Sequence, residues 1–175
     1  MKKRRLPRYL LGSAIIFLSF LVALAAFIIA KPERIFAVQS SIQMATTLYR
    51  VDDEIMSQTP YGRYYSDMYW RHNAELINIF QAHPEQIPEV LRVTLLNMPH
   101  MEALLNGEGD AITISKEQVE EIEAMFKFIA SVSSDELRTD IEREQQRTPL
   151  QEFVGMTMDE AMTHIEDAWD RDFPK

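Results

Sequence analysis

Cysteine is absent from the 175 residues. That excludes disulfides, thiolate metal sites and a cysteine nucleophile. It is compatible with a location outside the cytoplasm, because the roughly 145 residues after the first thirty can build a core without covalent staples. Glycine is scarce, with five in the chain. Together with long periodic stretches, that argues against disorder and low complexity. No internal repeat is present. G-x-S-x-G, S-x-x-K, a Gly-rich phosphate loop and a dinucleotide fingerprint are all missing. The four histidines, His72, His83, His100 and His164, form neither H-E-x-x-H nor E-x-x-H, so the zincin and di-iron helix signatures are missing too. His72 with Glu75, and Glu160 with His164, are same-face helical neighbours that ordinary pairing explains. The carboxylate runs (Glu117, Glu120, Glu121, Glu123; Asp159, Glu160, Glu166, Asp167) read as solvated helix exteriors. A non-enzymatic protein is the expectation.

Charge and proline are also missing from one long stretch, Tyr9 to Ala30. Its twenty-two residues reach roughly 33 Å as a helix, enough to cross a hydrocarbon core of about 30 Å. Lys2, Lys3, Arg4, Arg5 and Arg8 precede it, and Lys31-Pro32 follow. The basic cluster predicts a single-pass anchor in the cell membrane, with its N-terminus in the cytoplasm and the C-terminal domain outside. The anchor style is that of a bacterial envelope protein. The alternative is a signal peptide cleaved near Ala25, after Ala23-Leu24-Ala25. Cleavage there would leave the apolar stub Ala26-Phe27-Ile28-Ile29-Ala30, so an uncleaved anchor is the preferred reading. Gly12, Ser19, Ala23, Ala26 and Ala30 fall on one helical face, which could let a second membrane helix pack closely. Small residues are also simply common in such spans.

After residue 30 the chain carries thirteen basic and twenty-seven acidic residues, a net charge of −14. Such a domain is repelled by nucleic acid and by anionic lipid. Its expected partners are the membrane it is anchored in and another envelope protein, with no nucleic acid.

The division reads as a basic tail over 1–8, an anchor over 9–30, a juxtamembrane helix over 31–58 and an acidic helical domain over 59–175. In the juxtamembrane helix, Ile35, Val38, Ile42, Ala45, Tyr49, Ile55 and Met56 recur at helical spacing. Thr59-Pro60 starts the next helix, which runs to about Ala82. It holds Tyr61, Tyr64, Tyr65, Tyr69 and Trp70. Rings on more than one side make it either the centre of the core, the commoner case, or a face presented to a partner. A further helix runs from Pro84 or Pro88 to Asn106, with Ile87, Val90, Leu91, Leu95, Met98, Leu104 and Leu105 inward. Pro99 is expected to kink or split it near Asn97.

Capping boxes at Ser115 with Gln118, Ser133 with Glu136, and Thr157 with Glu160 mark later starts. Thr148 with Gln151 marks another. The implied helices are 116–131, 135–147, 149–154 and 158–171. Ala111–Ile114 is the one strand-like stretch, too short and alone to make a sheet. The fold class is therefore all-α: a single N-terminal transmembrane helix followed by an irregular extracytoplasmic helical bundle of about six or seven helices.

One loop carries a candidate metal site. Asn106, Glu108, Asp110 and Glu117 occupy the first, third, fifth and twelfth positions between two helices, the spacing of an EF-hand calcium loop. The pattern departs from that loop at Ala111, where the turn needs glycine, and at Thr113, normally apolar. A helix ending at Gly107 and another capped by Ser115 explain the same letters. The leading functional expectation is an anchored interaction or scaffold protein, or an accessory subunit of an envelope complex, with no cofactor. The alternative is a secreted or anchored ligand-binding module holding calcium at 106–117.

Overall fold

A computed structural model describes the backbone of residues 35–173 and the side chains of residues 43–173. Six α-helices fill it: α1 Ile35–Glu54, α2 Pro60–Ala82, α3 Ile87–Leu105, α4 Lys116–Val132, α5 Asp135–Arg147 and α6 Met158–Asp172. Short 3-10 turns join them at Met56–Gln58, Pro84–Gln86 and Leu150–Phe153. The described residues form an all-helical bundle, as their periodicity implies. Among the described residues no strand forms; Thr113 and Thr157 make an isolated antiparallel bridge. Among those residues, too, no helix is long and apolar enough to cross a membrane. The apolar run Tyr9–Ala30, with Gly12, Ser19, Ala23, Ala26 and Ala30, lies outside the described residues.

α1 packs on α3, and α4 lies between α3 and α5. α6 touches α3, while the turn Leu150–Phe153 packs on α4. The core unites Leu48 and Val51 of α1, Tyr65 and Leu76 of α2, Val93 and Met101 of α3, Phe126 of α4, Ile141 of α5 and Ile165 of α6.

Several boundaries follow from local chemistry. Pro60 supplies the fixed φ of a first helical position, and Thr59 Oγ1 accepts from the Gly62 N–H at 3.0 Å. Gly62 is needed because a Cβ there would collide with the Met56 carbonyl oxygen and Thr59 Oγ1. The boxes Ser115–Gln118 and Thr157–Glu160 both close in full.

Other expectations are corrected. Ser134, not Ser133, caps α5, accepting from the Leu137 N–H; the Ser133 hydroxyl turns back to the Ala130 carbonyl. Thr148 ends α5 by donating its hydroxyl to the Glu144 carbonyl at 3.2 Å, so it starts no helix. Pro99 does not split α3. Pro99 and Leu95 both face water, so the Leu95 carbonyl that loses its N–H partner can be hydrated.

The inward phases also shift. α1 buries Met44, Leu48 and Val51 while Tyr49 is 55% exposed, and α3 buries Val90, Val93, Met101 and Leu104 while Leu95 is 55% exposed. A run of mixed apolar residues admits more than one helical face, and packing against the other helices chooses between them. Leu137→Ala, at a site 1% exposed, is expected to cost about 2–5 kcal/mol in urea unfolding. Leu95→Ala is expected to stay within about 0.5 kcal/mol of the parent.

Candidate functional site

The densest chemistry in the bundle lies where α2 meets α5. α5 carries Asp140, Arg143, Glu144 and Arg147, spaced three and four apart on one helical face. That places two carboxylates against the aromatic side of α2. The buried Glu144 carboxylate accepts the Tyr64 hydroxyl at 2.9 Å and the Tyr65 hydroxyl at 2.8 Å. Arg147 Nη1 donates to both of its oxygens, at 3.1 and 2.8 Å. The same guanidinium donates from Nε to Asp172 at 2.6 Å. Its carbon lies 5.2–5.5 Å from the centres of the Tyr64, Trp169 and Phe173 rings. An arginine in that box gains from both charge and ring quadrupoles.

One turn earlier, His72 Nε2 donates to Asp140 Oδ2 at 2.8 Å. Its Nδ1 lies 3.7 Å from Glu75 Oε2. Glu75 in turn accepts from the Ser134 N–H at 2.6 Å and the Ser134 hydroxyl at 2.9 Å. The carboxylate therefore crosses from α2 to hold the first turn of α5. Arg143 pairs with Asp140 and donates to the Tyr64 hydroxyl.

The electrostatics follow from these contacts. Burial alone would raise the Asp140 carboxyl, but the His72 hydrogen bond and the Arg143 guanidinium overcome it and hold it below its ordinary 3.8. Burial first, then the Glu144 carboxylate, push the Tyr65 hydroxyl far above its ordinary 10. Tyr64 is raised for the same two reasons. Both phenols stay protonated as donors. Arg147 rises despite burial, because Asp172 and Glu144 favour its charged form.

A second buried group sits near the C-terminal end of α3. His100 Nε2 donates to the Thr113 carbonyl at 3.1 Å. Its Nδ1 accepts from Gln118 Nε2 at 3.0 Å. A carbonyl only accepts, so the proton sits on Nε2. His100 thus ties the 106–117 loop to α3 and to the cap of α4.

That loop is occupied with structure. The Gly109 carbonyl accepts from the Met158 and Asp159 N–H groups at 3.0 and 3.4 Å, seating the start of α6. Asn106, Glu108, Asp110 and Glu117 are all exposed. Among the described residues no three acidic or histidine side chains gather as metal ligands, so Glu108, Asp110 and Glu117 do not converge.

The aromatic candidates separate. Tyr61, Tyr65 and Tyr69 are at most 3% exposed and belong to the core, Tyr64 is half-buried, and Trp70 is 58% exposed. A continuous ring-rich face therefore does not form. The expected Glu160–His164 pair does not form either. Glu160 is spent on the Thr157 cap, and His164 Nε2 lies 2.8 Å from Glu152 Oε2.

Sequence reasoning missed Asp140, Glu144 and Arg147. The available signal was the spacing of alternating charges on α5, a pattern that solvated helices share. Compared with known proteins, the chain matches no family model, no curated protein and no solved structure.

The arrangement as a whole clamps helices. Both edges of the His72 ring face carboxylates and the ring is 4% exposed. The accessible chemistry lies elsewhere, in an open hollow of about 740 Å³ beside the first turns of α6. Glu152, Asp159, Asp167 and His164 line it together with Val154 and Met156.

Two outcomes test this reading. Glu144→Gln leaves Arg147 with Asp172 as its one charged partner among the described residues and removes one of the two acceptor oxygens that the tyrosine hydroxyls use. It is expected to cost about 1–3 kcal/mol in denaturant unfolding. Combining it with Arg147→Met is expected to cost less than the sum of the single changes. The depressed Asp140 carboxyl contributes stability that is fully present above its unfolded value near 3.8. That contribution is lost as pH falls through the lower folded value, because protonation breaks the His72 and Arg143 contacts. Asp140→Asn is expected to flatten that acid limb in pH-dependent unfolding.

Proposed function

We propose that this chain is a single-pass, membrane-anchored helical interaction protein, an extracytoplasmic scaffold or accessory subunit of an envelope complex, without catalytic activity of its own. The observation that carries the reading is where the chain spends its polar groups. Glu144, Asp140, Arg147 and His72 close on one another and hold helices. The surface carries exposed Trp70 and an open acidic hollow beside α6. Tryptophan on a surface is a frequent anchor of protein contacts. A hollow lined by carboxylates suits a basic partner surface.

The anchor rests on Tyr9–Ala30 and the basic residues before it. The net negative charge of the residues after that run discourages the bundle from lying on anionic lipid.

Full-length protein, tagged and purified in mild detergent from its native membrane, is expected to bring down a stoichiometric partner. Alkaline carbonate is expected to leave it in the membrane fraction. Trp70→Ala should weaken partner recovery without lowering the unfolding midpoint. Recovery of a clean monomer removes the scaffold reading, and release by carbonate removes the anchor.

A further inference from the structure

Asn106 closes α3, and Gly107 follows it with a φ of 72°. The Gly107 N–H donates to the Leu104 carbonyl at 3.0 Å, and the Glu108 N–H to the Ala103 carbonyl at 2.7 Å. This pair of bonds ends a helix in a Schellman turn. Asn106 itself is exposed, with φ −88° and ψ −5°. Glycine after asparagine places no Cβ in the path of the backbone nitrogen toward the side-chain amide.

We infer that Asn106–Gly107 is a deamidation site, gated by the C-terminal turn of α3. In the reaction, hydroxide takes the Gly107 amide proton and the nitrogen attacks Asn106 Cγ. A new C–N bond forms, the bond from Cγ to the side-chain nitrogen breaks, and that nitrogen takes a proton from water and leaves as ammonia, regenerating hydroxide. Water then opens the resulting succinimide at one carbonyl or the other, yielding aspartate or isoaspartate. No oxidant or cofactor is needed.

The closed turn withholds this reaction in two ways. The Gly107 N–H is already spent on the Leu104 carbonyl. Ring closure also needs the Asn106 Cβ nearly eclipsed with the Gly107 nitrogen about the Cα–C bond. At ψ −5° that nitrogen eclipses the Asn106 backbone nitrogen instead, and Cβ is turned away. Opening the turn removes both obstacles together, so the reaction proceeds from locally opened molecules.

The product reaches beyond the turn. A new negative charge would sit at the C-terminal end of α3, where the helix dipole disfavours it. Isoaspartate would also insert a methylene into the main chain three residues before Gly109. The Gly109 carbonyl holds the first N–H groups of α6, so conversion loosens the seat of α6.

The chain contains its own controls. Asn73, Asn78 and Asn97 lie inside helices and precede Ala74, Ile79 and Met98. Full-length protein in detergent is incubated at mildly alkaline pH, natively and in denaturing urea, and the peptide spanning Asn106 is followed by mass spectrometry. Conversion at Asn106 is expected in urea, with the other three asparagines slower. The native rate is expected to be at least about tenfold lower, by the factor that amide exchange reports at Gly107. A native rate closer than that to the urea rate overturns the gating. Failure of Asn106 to outpace the other asparagines in urea overturns the site itself.

Discussion

The carboxylate of Glu144 lies in the interior between α2 and α5, and a charge in that position is tolerated only when its oxygens are fully used. Two tyrosine hydroxyls from α2 and the guanidinium of Arg147 use them. The two tyrosines sit 80 and 79 residues away in sequence. A one-residue slip of α5 along α2 would bury the charge unpaired. Arg147 passes the constraint on to α6 through Asp172, and through the rings of Trp169 and Phe173. Three helices thereby share one register. Apolar packing of Leu137, Ile141 and Ile165 supplies the larger part of the burial, but it tolerates small shifts that the ion network does not.

This arrangement bears on function through what it leaves over. Groups that resemble catalytic equipment, His72 beside Asp140 above all, are enclosed and committed to holding α5 on α2. His100 is likewise committed, to the Thr113 carbonyl and the α4 cap. At the α6 hollow, Glu152 and His164 face each other, while Asp159 and Asp167 line its open side. The proposed interaction role draws on that contrast: interior polar groups are spent on register, and the outer face is acidic and partly apolar.

Much of the helix map was legible. α5 covers the expected residues although Ser134 caps it in place of Ser133, and the boxes at Ser115 and Thr157 close as the letters suggest. Thr59-Pro60 and Asn106-Gly107 mark their boundaries because each depends on backbone geometry within a few residues. Which face turns inward was less legible. Tyr49 and Leu95 have the period of buried residues yet face water, while Thr94 and His100 are buried. The role of the rings on α2 was least legible. In the sequence Tyr61, Tyr65 and Tyr69 fit either the core, the commoner case, or a displayed face, and the fold puts them in its centre.

By itself the sequence determined the helical class, the positions of most helix ends, the excess of negative charge and the apolar run at the N-terminus. Each of these depends on residues close together in the chain. The tertiary structure alone decided that Glu144 and Asp140 are interior and paired, that Trp70 is left outside when the tyrosines beside it are not, and that the loop carrying Asn106, Glu108, Asp110 and Glu117 serves as the seat of α6. Burial and pairing across tens of residues depend on which surfaces meet in space, and local spacing carries no record of that.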